Sequence, residues 1–276
     1  MLINYIQEYI DYMQRILLSI QSLQGNDKNL LSTHQKTLYM SLIDSLSKGV
    51  LQNQKDEYTT DNGKRFRDFI ERFCEWNEVK KVSIPQLYSL IKKTGTHECQ
   101  ELLEYVENHI NNYVTSEPIL ISSDLSIMSI KRMLPKQEDT INPYLNRLTH
   151  VSLIWFNRNN LVHEAHSAEF FANIHDHCKT PYYSHVSKFD ANKYDKILEQ
   201  IDCLRIYYPV EFFETLIKNS LKRIKPYLIN EKINPINNYT SDDVWAIKQE
   251  IEKKKYEEAR ERLRNKGKVK FPNSKK

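Results

Sequence analysis

Glycine and proline are scarce, 5 and 9 residues in a chain of 276, which argues against turn-rich β architectures that need frequent special backbone angles. The four cysteines, Cys74, Cys99, Cys178 and Cys203, include no Cys-x2-Cys pair. Neither a zinc ribbon nor a dithiol redox motif is expected, and reduced, buried thiols are. No stretch approaches 18 consecutive apolar residues, and the first residues lack a basic region followed by an apolar run and a cleavage site. A cytoplasmic protein without a membrane segment is the expectation. Internal repeats are absent from the sequence.

Metal-ligand spacings are missing too. His163-Glu164-x-His166 is one residue short of the His-Glu-x2-His signature, so its imidazoles lack the i, i+4 relation that zinc binding on a helix requires. His175, Asp176, His177, Cys178 and His185 cluster in sequence without a recognised ligand spacing. No metal and no cofactor are expected.

Charge is unevenly spread. Residues 240–276 carry 12 Lys and Arg against 7 Asp and Glu, a balance of +5, leaving 28 against 29, or −1, for the rest of a chain whose total is +4. Any bulk attraction to nucleic acid therefore comes from the tail or from local patches.

What the chain does have is an abundance of helix formers and 17 tyrosines. Leu2, Ile6, Tyr9, Met13, Ile16, Ile20 and Leu23 recur in steps of four and three, flanked by Ile3, Ile10 and Leu17. So broad a stripe predicts a bundle helix packed on its own core rather than a coiled-coil seam, ended by Gly25-Asn26-Asp27. Further helices are predicted over 33–51, 64–77, 86–93, 98–114, from about 144 onward, and over 210–228 behind Pro209. Residues 56–63 read as a turn and 82–85 as an extended or turn segment. Residues 119–121 read as an edge strand, 135–143 as a linker and 204–208 as extended chain.

Phe66, Phe69, Ile70, Phe73 and Trp76 form an aromatic stripe read as core rather than as a base-stacking platform. Lys64, Arg65 and Arg67 open the same helix, where the helix dipole disfavours cations. An RNA phosphate and a salt bridge to another helix both remain open as explanations. Past Pro235 and the Asn-rich run 234–238, Thr240 and Ser241 are suited to cap a charged helix, and seven basic residues with no acidic one follow from Arg262. The predicted organisation is a helical domain over 1–236 and a charged helix with a basic tail over 237–276. That tail is either solvated or an electrostatic RNA tether.

The centre of the chain is 150–166. Leu148, Val151, Ile154 and Trp155 are followed abruptly by Arg158, Asn159, Asn160, His163, Glu164 and His166, so an apolar helix brings reactive groups to the edge of a core. Asn159 and Asn160 share a face with His163. Arg158 stands about 140° round the helix from His163 at 100° per residue. The two can meet only if the arginine reaches round, the helix bulges, or a second protomer supplies the missing partner.

Arg158-Asn159-x3-His163 resembles the Arg-x4-His motif of the HEPN superfamily of small helical proteins, many of them metal-independent ribonucleases of defence and toxin systems. Leu161-Val162-His163-Glu164, Leu42-Ile43-Asp44-Ser45-Leu46-Ser47, Arg65-Phe66-x2-Phe69-Ile70, Ser83-Ile84-Pro85-Gln86-Leu87-Tyr88 and Tyr208-Pro209-Val210-x-Phe212-Phe213 extend the resemblance, to a plasmid-encoded HEPN-like family, over roughly 38–228.

The resemblance implies an all-α helical bundle of HEPN type with at most a few short strands. It also implies RNA as partner, and a homodimer whose composite active site pairs two motifs across a two-fold axis. His163 is then the general acid or base and Arg158 the phosphate stabiliser, with Asn159 orienting the ring or donating to phosphate. Asn160, Glu164 and His166 would support them, with Lys64, Arg65 and Arg67 as RNA contacts. A related subgroup with Arg-x4-His-x-Tyr is silenced by modification of its tyrosine; Ala165 stands there in this chain, so that control is not expected, although another cognate antitoxin or defence partner is compatible. Two alternatives stay open. One is a catalytically idle RNA- or protein-binding relative; the other is an unrelated helical interaction protein in which Arg158 pairs with a carboxylate and His163 is a buried imidazole.

Overall fold

In the computed structural model, residues 2–94, 99–111, 117–135, 140–164, 177–189, 200–239 and 253–261 are described. The fold is mostly helical with a few strands. Five helices build the main core: α1 (Leu2–Gln21), α2 (Lys28–Leu51), α4 (Asn62–Phe73), α8 (His150–Glu164) and α9 (Val210–Asn230). The stripe on α1 packs as predicted, with Ile6, Tyr9, Ile10, Met13, Leu17 and Ile20 buried and Ile3 and Leu18 left exposed. Phe66, Phe69, Ile70 and Phe73 of α4 are buried in the same core, in keeping with the core reading of the aromatic stripe.

Caps explain where sequence and structure part. Asp27 accepts hydrogen bonds from the amides of Asn29 and Leu30 at 2.8 and 3.1 Å, so α2 starts at Lys28, five residues ahead of the periodic signal. An aspartate oxygen satisfies amides the first turn cannot. Asp61 does the same for α4 through the amide of Lys64 at 2.8 Å. The segment expected as a turn thus holds a short helix, α3 (Glu57–Thr60), and the start of α4.

A second apolar cluster gathers α5 (Ile84–Thr94), α6 (Gln100–Asn111), α7 (Ile127–Met133) and the 3-10 segment Asn142–Leu148. α7 has seven residues, too few for a readable period, and the 3-10 segment lies partly where a linker was expected. β1 (Lys81–Val82) pairs antiparallel with β3 (Leu125–Ser126). β2 (Ile119–Leu120), β4 (Tyr182–Phe189) and β5 (Gln200–Tyr207) form an antiparallel sheet in the order β2-β4-β5. Tyr182 faces Tyr207 across the last pair, their rings stacked 5.3 Å apart.

Between the two clusters lies a buried polar hub. His150 Nε2 is 2.7 Å from Asp124 Oδ2, and the Tyr183 hydroxyl donates to the same oxygen at 2.5 Å while lying 2.8 Å from Ser83 Oγ. His150 Nδ1 is 3.4 Å from the Tyr208 hydroxyl. All five side chains are buried, and polar groups so placed are tolerated only when they satisfy one another. Burial and the Asp124 carboxylate push the Tyr183 phenol well above its ordinary range.

The body continues through Tyr239, past the boundary at 236 expected from composition. Asn238 Nδ2 donates to the carbonyl of Gly49 at 2.9 Å, and the Tyr239 hydroxyl donates to the carbonyl of Ser45 at 2.8 Å and meets Tyr9 Oη at 3.0 Å. Of the charged C-terminal region, 253–261 is helical and exposed; the proposed cap at Thr240 and the basic tail from Arg262 lie outside the described residues. Cys74, Cys99 and Cys178 are buried, as expected, and Cys74 and Cys178 are unbridged. Among the described residues no helix is long and apolar enough to cross a membrane.

Two stability outcomes follow. A Cβ on Gly49 would stand 2.8 Å from Tyr239 Oη and closer still to Tyr9 Oη, so Gly49→Ala should lower the unfolding free energy by about 1–3 kcal/mol in urea titrations. Burial, helped by Glu214 and Glu211, pushes the Tyr39 phenol up to about 12. The folded chain then holds this proton more tightly than the unfolded one, and stability is lost as pH rises from about 10, the ordinary phenol value, through about 12. Tyr39→Phe should move the alkaline unfolding midpoint, read by circular dichroism, to higher pH.

Candidate functional site

The polar end of α8 is positioned by the way the helix divides its faces. Val151, Ile154 and Leu161 are buried, and helical spacing puts Arg158 on their stripe. Phe156 is 61% exposed, and positions 160 and 163 continue its stripe at i+4 and i+7. Hydrogen bonding is α-helical from His150 to Glu164, so the bulge considered as a way to bring Arg158 and His163 together is not there. The arginine stands on the inward face and the histidine position on the outward one.

Arg158 reaches inward to α2. Its Nη2 lies 2.6 Å from Asp44 Oδ2, the side chains being 14% and 20% exposed. The guanidinium carbon sits 5.0 Å from the centre of the Trp155 ring one turn back, a cation–π contact. That indole in turn packs on Phe66 of α4 at 5.1 Å. Asn159 Oδ1 accepts from Arg158 Nη1 at 3.2 Å.

Asp44 serves a second guanidinium. Arg65 Nη2 lies 3.4 Å from Asp44 Oδ1, with the arginine only 4% exposed. Its remaining donors go to Ser47 Oγ at 3.3 Å, to the Tyr58 carbonyl at 3.2 Å and to Gln52 Oε1. Arg65 can be buried because its fork of five N–H donors is met by neutral acceptors as well as by the carboxylate.

The basic trio at the head of α4 therefore does not form a continuous surface. Arg65 is buried within the fold, and Lys64 lies 3.3 Å from Asp68 and 3.6 Å from Glu57. For these two the salt-bridge alternative describes what the side chains do. Arg67 is partly buried beside Gly63. Asn160 is partly buried on α8. His163 and Glu164 belong to α8 by their backbone, while their side chains and all of His166 lie outside the described residues. So do His175 and Asp176 of the histidine-rich cluster; His177 is exposed and Cys178 buried.

Asp44 is the site residue that motif reasoning left without a role. It sits inside the quoted run Leu42-Ile43-Asp44-Ser45-Leu46-Ser47, and a carboxylate between two buried apolar residues, Ile43 just before it and Leu46 two beyond, is a signal that a cation must come to meet it.

No family model matches the chain, and neither the curated proteins nor the solved structures contain a match.

Removing the Asp44 charge leaves two guanidiniums facing each other across a shielded site. Asp44→Asn should lower stability by about 1–3 kcal/mol in urea unfolding, less than for a fully buried pair because Asp44 and Arg158 keep some solvent. Once Asp44 is Asn, Arg158→Ala should cost measurably less than it does in the native chain, with a coupling of about 0.5–3 kcal/mol in the double-mutant cycle.

Proposed function

We propose that the chain is a metal-independent endoribonuclease of HEPN type, acting as a homodimer in a toxin or defence role. The observation that carries this reading is the arginine. Arg158 is oriented by Asp44, Asn159 and Trp155 with its side chain 14% exposed, on the helix that also carries the His163 position. A fixed, permanently charged fork is suited to the charge that develops on phosphoryl oxygens.

In the proposed reaction the 2′-hydroxyl attacks the adjacent phosphorus and gives its proton to a base. The bond to the 5′-oxygen breaks, and an acid protonates that leaving oxygen. The products are a 2′,3′-cyclic phosphate and a 5′-hydroxyl. An imidazole titrates in the range where it can both take and give a proton near neutral pH, so two copies of His163 would supply base and acid, with two copies of Arg158 as cations. Phe156, exposed on the stripe that leads toward position 163, supports a pairing surface on the outward face of α8.

A second reading has its own support. The short Arg158 to Asp44 contact is the carboxylate pairing expected of an unrelated helical interaction protein, and also of a relative that keeps the motif for structure and binds RNA or a protein partner; on either the chain does not cleave RNA.

Purified protein incubated with total RNA in excess EDTA separates the two. Cleavage leaving 5′-hydroxyl ends is expected, reduced at least about 100-fold in folded His163→Ala and Arg158→Ala variants. Salt-sensitive RNA binding without products would favour the idle binder.

A further inference from the structure

The chain also contains a cavity that neither arginine motif nor buried hub uses. It measures about 300 Å³ and lies between the loop after α4, the β2 end at Leu120–Ser122, Thr180-Pro181 and the first half of α9, at the small end of the range for ligand sites. Two of its walls are aromatic. Trp76 and Phe212 meet edge to face, ring centres 4.9 Å apart at 68°, and Trp76, the less buried of the two, is the ring on which a flat ligand can stack.

Its charge is of one sign. Glu75 and Glu78 line the cavity and no Lys, Arg or His does. Glu78 makes no ion pair among the described residues, and the Glu75 contact to Arg223, at 3.5 Å between half-exposed side chains, is of the kind that contributes little. Glu75 also adopts φ 52°, a left-handed conformation costing a non-glycine residue about 1 kcal/mol, and such outliers cluster at binding sites. Asn219 Nδ2 ties α9 to the Cys74 carbonyl at 3.3 Å, which fixes the loop relative to the helix at the cavity wall.

We infer that this cavity binds a small planar cation, an aromatic amidine, guanidine or amine. The flat face stacks on Trp76 and the positive group meets Glu75 and Glu78, combining cation–π attraction with charge pairing. An anionic ligand would find no counter-charge there. The inference does not rest on the ribonuclease reading.

Benzamidine, benzamide and benzoate have one shape and three charge types, so ligand-observed NMR titration of the full chain with each tests the site. Benzamidine is expected to bind saturably with a Kd of about 0.1–1 mM, at least about tenfold tighter than benzoate, with benzamide between them. Two variants place the binding. Thr215 is exposed on α9 at the cavity rim, so Thr215→Trp should fill the site and abolish binding with the urea midpoint unchanged, and Glu78→Gln should weaken benzamidine selectively. Equal binding of benzoate, binding that survives Thr215→Trp, or no saturable binding of benzamidine up to about 5 mM each overturns the inference.

Discussion

One carboxylate has to serve two guanidiniums, and the geometry of the central helices follows from it. Asp44 projects from α2 and receives Arg65 from α4 and Arg158 from α8, so a single anion joins three elements of the main core. Coulomb attraction at the 2.6 Å contact is large, but so is the cost of removing charges from water. The balance is tipped by the neutral acceptors around Arg65 and by residual solvent at Arg158. The buried apolar stripes set the rotation of α2, α4 and α8, and the shared carboxylate adds a directional constraint to it, because Arg65 meets one of its oxygens and Arg158 the other.

α8 is fixed at a second place by different chemistry. His150 at its start meets Asp124 and Tyr208 within the buried hub, which also holds Tyr183 of β4 and Ser83 ahead of α5. The hub lies where the two apolar clusters touch, and hydrogen bonds have direction where hydrophobic contact has none. A helix pinned at residue 150 and again at residue 158 has little freedom to turn about its axis. Its outward stripe, with Phe156 and the position of His163, is therefore presented in one orientation.

Much of this could be read from the sequence where a period ran long enough. The α1 stripe and the α4 aromatics repeat over several turns, and their burial follows from spacing alone. Short elements escaped: α3 has four residues and α7 seven, and neither contains enough turns to show a face. Of the β4–β5 pair, part of β5 is legible as extended chain over 204–208, while β4 escaped for another reason, since Tyr182–Phe189 includes a histidine that invites a metal reading. Of the site, Arg158 and Asn159 stood out because polar residues interrupt an apolar helix. Asp44 and the Asp124–His150 pair did not, because each is meaningful only beside a residue distant in sequence, and no local pattern encodes that meeting.

The same helix geometry bears on what the Arg and His of one chain can do. With α8 unbroken from His150 to Glu164, residues 158 and 163 diverge by about 140°, and the Arg158 guanidinium is turned inward to Asp44. Rotating the helix to bring His163 toward the arginine would carry Arg158 away from Asp44 and Val151, Ile154 and Leu161 out of the core, at a cost of several kcal/mol in buried apolar area. On the proposed reading, a catalytic site within one chain is thus disfavoured by the packing that makes the chain stable, and the remaining route is between chains. An arginine near the core edge of one copy and a histidine on the outer stripe of another can approach without disturbing either core, which makes assembly a condition of the chemistry.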